Sequence, residues 1–206
     1  MIKFNFKMKK EQPKEPEEKM TWQQNLIVDL HDLVYVLAGF MLIYMLFFRV
    51  VVVVGPSMYD TLVDGDRLVL LSSAVYREPK QGDIIVASKQ SFENGECIVK
   101  RVIATGGQTV NIDFSTGTVY VDGIPLQEDY IYSPTTLDEG ISFPLHVEEG
   151  HVFVLGDNRG SSKDSRNPQI GLIDEREILG KAIFLLVPGT NKGTEDAQYD
   201  RIGVID

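Results

Sequence analysis

Hydrophobic and polar positions divide the chain into two unlike parts. From Leu33 to Phe48 the sequence LVYVLAGFMLIYMLFF runs sixteen residues without a charge. It is apolar on every side of the helical period, so no stripe is left to face a core. As a helix it spans about 24 Å at about 1.5 Å per residue, short of a hydrocarbon layer of about 30 Å. Extension back to Leu26 and a snorkelling Arg49 close that gap and predict a transmembrane helix over 26–49. No A-x-A-like site follows Phe48, so the segment reads as an uncleaved anchor.

Past residue 50 the helical period disappears. Short runs rich in Val, Ile and Leu recur between turn residues: RLVLL (67–71), DIIVAS (83–88), CIVKRVIA (97–104), QTVNI (108–112), GTVYV (117–121), HVFVLG (151–156) and KAIFLLV (181–187). This is the punctuation of antiparallel strands. NIDFSTGTVYVDG predicts two strands joined by a tight turn, with a second turn at Asp122-Gly123. The only helical signal is the short DEREIL (174–179); residues 123–150 read as a long connection, and one edge strand is expected at the C-terminal end. The fold class that follows is mainly β, an antiparallel β-barrel or packed sheets, with one N-terminal transmembrane helix.

Charge adds direction. Residues 1–20 hold six Lys and four Glu, whereas residues 55–206 carry a net charge of −11. A polar tail over 1–25 buries little apolar surface and is expected to be disordered. All six of its lysines precede the anchor, and after Arg49 nothing basic appears until Arg67. The positive-inside bias keeps such a tail in the cytoplasm and places 50–206 outside the cell membrane. An overall charge of −10 argues against a nucleic-acid partner. The single cysteine, Cys97, cannot close an internal disulfide, and no Cys/His cluster has metal-ligand spacing. Neither a metal nor another cofactor is expected.

Three stretches could carry chemistry. VVVVGPSMYDTL places Ser57 on a Gly-Pro turn after a valine run. Phe48 and Ser57 are nine residues apart, about 30 Å at full extension, so Ser57 works near the membrane surface. A serine nucleophile needs a base. His31 precedes the anchor, and His146 and His151 lie outside any dense polar motif, so a Ser-His-Asp triad has little support. Lysine is the alternative. Strand alternation puts Ile98, Lys100 and Val102 on one face of CIVKRVIA and Val99, Arg101 and Ile103 on the other, so one of the two cations must face the interior or a cleft. Desolvation lowers a lysine pKa by up to about 3–5 units, which would poise it as a base. The third stretch, GDNRGSSKDSR (156–166), offers ion pairs Asp157/Arg159 and Asp164/Arg166 that could brace a loop and hold Ser162 against a neutral lysine.

Together these motifs resemble the bacterial type I signal peptidases, membrane-bound serine proteases with a Ser-Lys dyad. The family's serine box S-M-x-P-T-L appears as SMYDTL (57–62), its G-D-[IV]-[IV] box as GDII (82–85) and its lysine box as KRVIATGGQ (100–108). Its G-D-N-R-x-x-S-x-D-S-R box is complete over 156–166. The separation of 43 residues from Ser57 to Lys100 matches the compact form common in Gram-positive bacteria. The resemblance implies Ser57 as nucleophile, Lys100 as general base and Ser162 hydrogen-bonded to Lys100. Asp157, Arg159, Asp164 and Arg166 support the site. It implies a monomer acting on signal-peptide-bearing preproteins at the lipid bilayer, cutting after small residues at −1 and −3. A substrate pocket is expected among Val53, Met58, Leu62 and Val99. Asp60 replaces the usual Pro, Gly55 stands where some members add an oxyanion-hole hydroxyl, and Ala104, Gly106 and Gln108 replace Gly, Pro and Asp after the lysine. Two rivals remain: the related self-cleaving Ser-Lys repressors, which lack an anchor, and a catalytically silent membrane-tethered subunit on the same fold.

Overall fold

The computed structural model describes residues 21–89, 92, 96–190 and 198–205. The expected tail over 1–25 falls mostly on residues 1–20, which lie outside the described residues. The chain divides into two compact units, Met1–Leu42 and Ile43–Asp206.

Helix α1 runs over Trp22–Phe47 with no buried residue. At 26 residues it is long and apolar enough to cross a membrane. Thr21 and Gln24 close its N-terminus reciprocally: Gln24 N donates to Thr21 Oγ1 and Thr21 N to Gln24 Oε1. The helix stops two residues before the expected end. Phe48 and Arg49 instead open strand β1 (Phe48–Val52), because the β-branched run Val50–Val54 suits an extended ladder and β2 (Arg67–Ser72) is available to pair with it.

The remaining strands are β3 (Ile84–Ser88), β4 (Cys97–Thr105), β5 (Thr109–Asp113), β6 (Thr118–Val121), β7 (Ile124–Pro125), β8 (Leu145–His146), β9 (His151–Leu155), β10 (Ile173–Asp174), β11 (Ile178–Val187) and β12 (Gly203–Val204). The larger sheet has the order β1-β2-β11-β3-β4-β9-β10, with β12 also on β11; the smaller has the order β7-β6-β5-β8. Among the described residues the ladders of both sheets are antiparallel. Packed sheets, not a closed barrel, are what forms: β1 and β10 stand at the two ends of the larger sheet. DEREIL becomes a single 3₁₀ turn, Glu175–Glu177, capped by Asp174, and its apolar end enters β11.

Strand β4 is central in two senses. It pairs β3 on one side (Lys100 opposite Ile85) and β9 on the other (Arg101 opposite Leu155). It also has core on both faces. Ile98 and Val102 pack with Ile85, Val152 and Val154; Val99 packs against Val53, Met58, Leu62 and Val86; Ile103 packs with Phe153 and Leu155 against the smaller sheet. A polar side chain in the middle of this strand is therefore forced into low-dielectric surroundings.

Candidate active site

Alternation predicted that one of the two cations of β4 would be buried. Both are: Lys100 and Arg101 are each only 4% exposed. Their fates differ. Arg101 donates from Nε to Asp157 Oδ1 at 3.0 Å and from Nη2 to Asp157 Oδ2 at 2.9 Å, and its guanidinium lies 4.0 Å from the centre of the Tyr130 ring. Such a two-pronged pair compensates much of the desolvation of both charges. Lys100 has no carboxylate among its hydrogen-bond partners. Its Nζ donates to Val99 O at 2.9 Å and lies 2.8 Å from Ser57 Oγ. Burial pulls this amine down to about 8, against the opposing pull of Asp164, Asp157 and Glu139.

Ser57 reaches that position by a constrained turn. Val53 N donates to Asp66 O at 2.8 Å and Gly65 N to Val53 O at 2.9 Å, which ends the valine run. Gly55 adopts φ +86°, a left-handed conformation that a side chain disfavours, and its N–H donates to Asp64 Oδ1 at 2.8 Å. That requirement explains a glycine where a hydroxyl residue is an option elsewhere in the family pattern. Tyr59 N then donates to Pro56 O and Leu62 N to Met58 O, so 56–62 forms one tight coil with half-buried Ser57 near its start.

Loop 156–166 supports this coil from beneath. Asn158 N donates to Ser57 O at 3.0 Å, Asn158 Nδ2 to Pro56 O at 3.1 Å and Thr61 Oγ1 to Asp157 Oδ2 at 2.6 Å. Gly156 makes this approach possible: a Cβ there would lie 2.2 Å from Ser162 Oγ and 2.4 Å from Ser57 O. Asp164 pairs with Arg166 as expected, Nε to Oδ1 at 2.8 Å and Nη2 to Oδ2 at 2.9 Å, while accepting Gly156 N at 3.0 Å. The expected Asp157/Arg159 pair does not form. Asp157 turns to Arg101 and Thr61, and Arg159 pairs with Glu128 and Thr135 on the long connection. The spacing is the same as in Asp164/Arg166, but here both groups find closer partners on other segments, Arg101 on β4 and Glu128 on the long connection. Asp157, Arg159, Asp164 and Arg166 are all fully buried.

Ser162 is buried beside Gly156, but its Oγ has no hydrogen-bond partner among the described residues. The expected bond to Lys100 is therefore not made in this structure; the amine is already engaged by Val99 O and Ser57. A cavity of about 580 Å³ opens at Ser57 and Lys100, with Val53, Gly55, Ile98 and Val99 among its walls. Two of the four residues expected in a pocket, Val53 and Val99, line it. Met58 and Leu62 do not: at 0% and 1% exposure they pack into the core behind the turn. Residues that sequence reading passed over include Arg101, Thr61 and Glu128. The first two lie inside the quoted motifs, but nothing in their spacing named their partner.

Three comparisons bear on this arrangement. The family described as "Signal peptidase, peptidase S26" matches residues 27–187. The probable signal peptidase I-1 of Synechocystis is 40% identical over 146 residues, 68% of this chain and 71% of the relative. The signal peptidase I of Bacillus licheniformis is 33% identical over 181 residues, 84% of this chain and 95% of the relative. A crystal structure of a signal peptidase I from Enterococcus faecalis aligns with a TM-score of 0.42 at 32% identity, covering 50% of this chain and 96% of the other.

Two outcomes follow from the site's physics. Gly156→Ala must displace the Ser57 carbonyl or Ser162, and is expected to lower unfolding free energy by about 1–3 kcal/mol. Urea unfolding of the full chain in detergent measures this; a midpoint equal to the parent's would show that the loop yields freely. Lys100 gives the second. Its folded pKa of about 8 lies below its unfolded value of 10.5, so the folded state is penalised in full below pH 8 and the penalty fades as pH rises to 10.5. The full penalty is about 3 kcal/mol at about 1.36 per unit. Lys100→Met is therefore expected to be more stable than the parent at pH 7 by up to about 3 kcal/mol, with the gain shrinking above pH 8. Unfolding at both pH values tests it, and a gain that does not shrink would assign the effect to packing.

Proposed function

The chain belongs to the signal peptidase family of S26 peptidases, and on that premise we propose that it removes signal peptides from secreted preproteins with Ser57 as nucleophile and Lys100 as general base. The family makes it a serine peptidase, and α1 is consistent with a membrane anchor. The observation that carries the dyad is the 2.8 Å separation of Ser57 Oγ and a buried, carboxylate-free Lys100 Nζ.

The chemistry is acyl transfer. Neutral Lys100 accepts the Ser57 hydroxyl proton as Oγ attacks the scissile carbonyl carbon, and the carbonyl oxygen takes the negative charge. The Ser57 backbone N–H faces that oxyanion, as a donor placed where charge develops. Collapse breaks the C–N bond while Lys100 gives its proton to the leaving amine. A water molecule, deprotonated in turn by Lys100, then attacks the ester carbonyl carbon; the C–Oγ bond breaks, the acid product leaves, and Lys100 returns its proton to Ser57 Oγ. A lysine can serve in all four transfers because its pKa is close to the working pH. In this reading an extended preprotein segment enters the cavity beside Val53 and Val99, with small residues at −1 and −3 next to the cut. We assign α1 as the single-pass anchor, the lysine-rich tail to the cytoplasm and the β-rich unit to the outer face. There a monomer meets substrates held in the same bilayer. Arg159, Arg166 and their carboxylates keep the loop in place, and Ser162 is the hydroxyl available to orient the amine once substrate excludes water.

Cleavage of a preprotein ending in Ala-x-Ala by the detergent-solubilised full chain is expected to be abolished by Ser57→Ala and by Lys100→Ala. Persistent cleavage in either purified variant overturns the dyad. In the parent, kcat/KM is expected to rise with pH around a midpoint of about 8, because about one-tenth of an amine with that pKa is neutral at pH 7 and about nine-tenths at pH 9. A profile flat from pH 6.5 to 9.5 would remove Lys100 from the rate-determining proton transfer.

A further inference from the structure

The family match ends at residue 187, yet the chain beyond it returns to the turn that carries Ser57. Tyr199–Arg201 forms a 3₁₀ turn, and β12 then pairs with Phe184 and Leu185 of β11. Ile205 N donates to Ile183 O at 3.1 Å, and the Ile205 side chain packs against the core that holds Met58 and Leu62. This fixes the segment across the base of the 56–62 coil.

Arg201 is the point of contact. Its Nη1 donates to Asp66 Oδ1 at 3.1 Å and its Nη2 to Asp66 Oδ2 at 2.7 Å. Nη2 also donates to Thr61 O at 3.1 Å. Asp66 is fully buried, and its other acceptor sites are filled by Val63 N at 2.9 Å and Gly189 N at 2.7 Å. Both Gly189 and Arg201 lie past the family match. Thr61 is thus held from two sides, its carbonyl by Arg201 and its hydroxyl by Asp157. The same Asp157 is fixed by Arg101, the neighbour of Lys100 on β4.

We propose that Arg201 is a positioning residue for Ser57, and that segment 198–205 is a strap holding the nucleophile turn in register with Lys100. This rests on the reading of Ser57 as nucleophile. The carbonyl that Arg201 grips lies four residues after Ser57 within one coil, so slack at Thr61 passes directly to Oγ. A displacement near 1 Å in a reacting group costs about a hundredfold in rate. Arginine suits the role because one planar fork meets a carboxylate and still reaches a carbonyl; lysine, a point donor, does not reproduce both.

The test uses the full chain in detergent, with Arg201→Gln, Arg201→Lys and Tyr199→Ser as a control at an exposed position in the same segment. Hydrogen exchange at the Leu62 and Val63 amides, and kcat and KM on an Ala-x-Ala preprotein, are read at a temperature where circular dichroism shows each variant folded. Arg201→Gln is expected to speed exchange at both amides at least tenfold without changing exchange in β5 and β6. It should lower kcat at least tenfold with KM within twofold. Arg201→Lys should fall between it and the parent, and Tyr199→Ser should match the parent. Unchanged exchange at Leu62 and Val63 overturns the strap, as does faster exchange with parental kcat. If Arg201→Gln does not fold, Arg201→Lys decides by the same two readings, and parental values in both overturn the proposal. An inactive parent, or cleavage that survives Ser57→Ala, refutes the nucleophile assignment instead; the exchange measurement then still decides whether Arg201 orders the turn.

Discussion

A primary ammonium in water holds its proton too tightly to act as a base at neutral pH, so the chemistry proposed for this chain depends on keeping one amine out of water. Strand β4 does this by position. It lies between β3 and β9 and carries core on both faces, so Lys100 cannot reach solvent by choosing a different rotamer direction. The amine meets the Ser57 hydroxyl and the Val99 carbonyl at the cavity that the Ser57 turn helps to line. The energetic cost of that confinement weakens the hold on the proton, so a neutral amine able to accept one exists near pH 8, and the cost is offset by the cores on either side of the strand.

Burial alone would not suffice, because acidic residues crowd the same region. Asp157, Asp164 and Glu139 each favour the charged lysine. Had they stood unpaired, they would hold Lys100 as an ammonium. Two of them are instead matched to arginines: Asp157 to Arg101, and Asp164 to Arg166, which also lies 3.5 Å from Glu139. An arginine remains protonated across the working range, so each pair presents a dipole to Lys100 where a bare carboxylate would present a charge. The buried ion pairs therefore serve the site in two ways. They fasten loop 156–166 to the sheet, and they limit the negative field at the amine. This suits arginine, and not lysine, at positions 101 and 166, whose carboxylate partners are the ones that act on Lys100.

Much of this was legible in the residues. The strands from RLVLL to KAIFLLV and the hairpin at 109–121 follow from period and turn chemistry, and the edge strand at the C-terminal end forms as β12. The first strand was not legible. Phe48–Val52 continues an apolar run, and apolarity without alternation does not distinguish the end of an anchor from a strand; only pairing with β2 settles it. The ion pairs were half legible. Asp164/Arg166 can be read from spacing, but Asp157 and Arg159 separate because their partners lie 56 and 31 residues away in sequence. Met58 and Leu62 lie beside the nucleophile in sequence, and the coil of 56–62 turns them inward to the core while Ser57 faces the cavity. Proximity in sequence identified the neighbourhood but not the side.

The same coil explains how Asp60 can stand where the family pattern places proline. Proline restrains a turn through its own ring, fixing one dihedral. Here restraint comes from outside the residue. Leu62 N closes on Met58 O within the coil, Asn158 holds the carbonyls of Pro56 and Ser57, Asp157 takes the Thr61 hydroxyl, and Arg201 takes the Thr61 carbonyl. Two separate parts of the chain, loop 156–166 and Arg201, thus converge on seven residues. Each bond contributes only about 1 kcal/mol net, and those to charged groups about 1.5–3. Because they act on one short segment, they are sufficient to replace a single fixed dihedral. A turn held this way takes its geometry from the assembled sheet, so its order is a property of the whole fold and not of the SMYDTL motif alone.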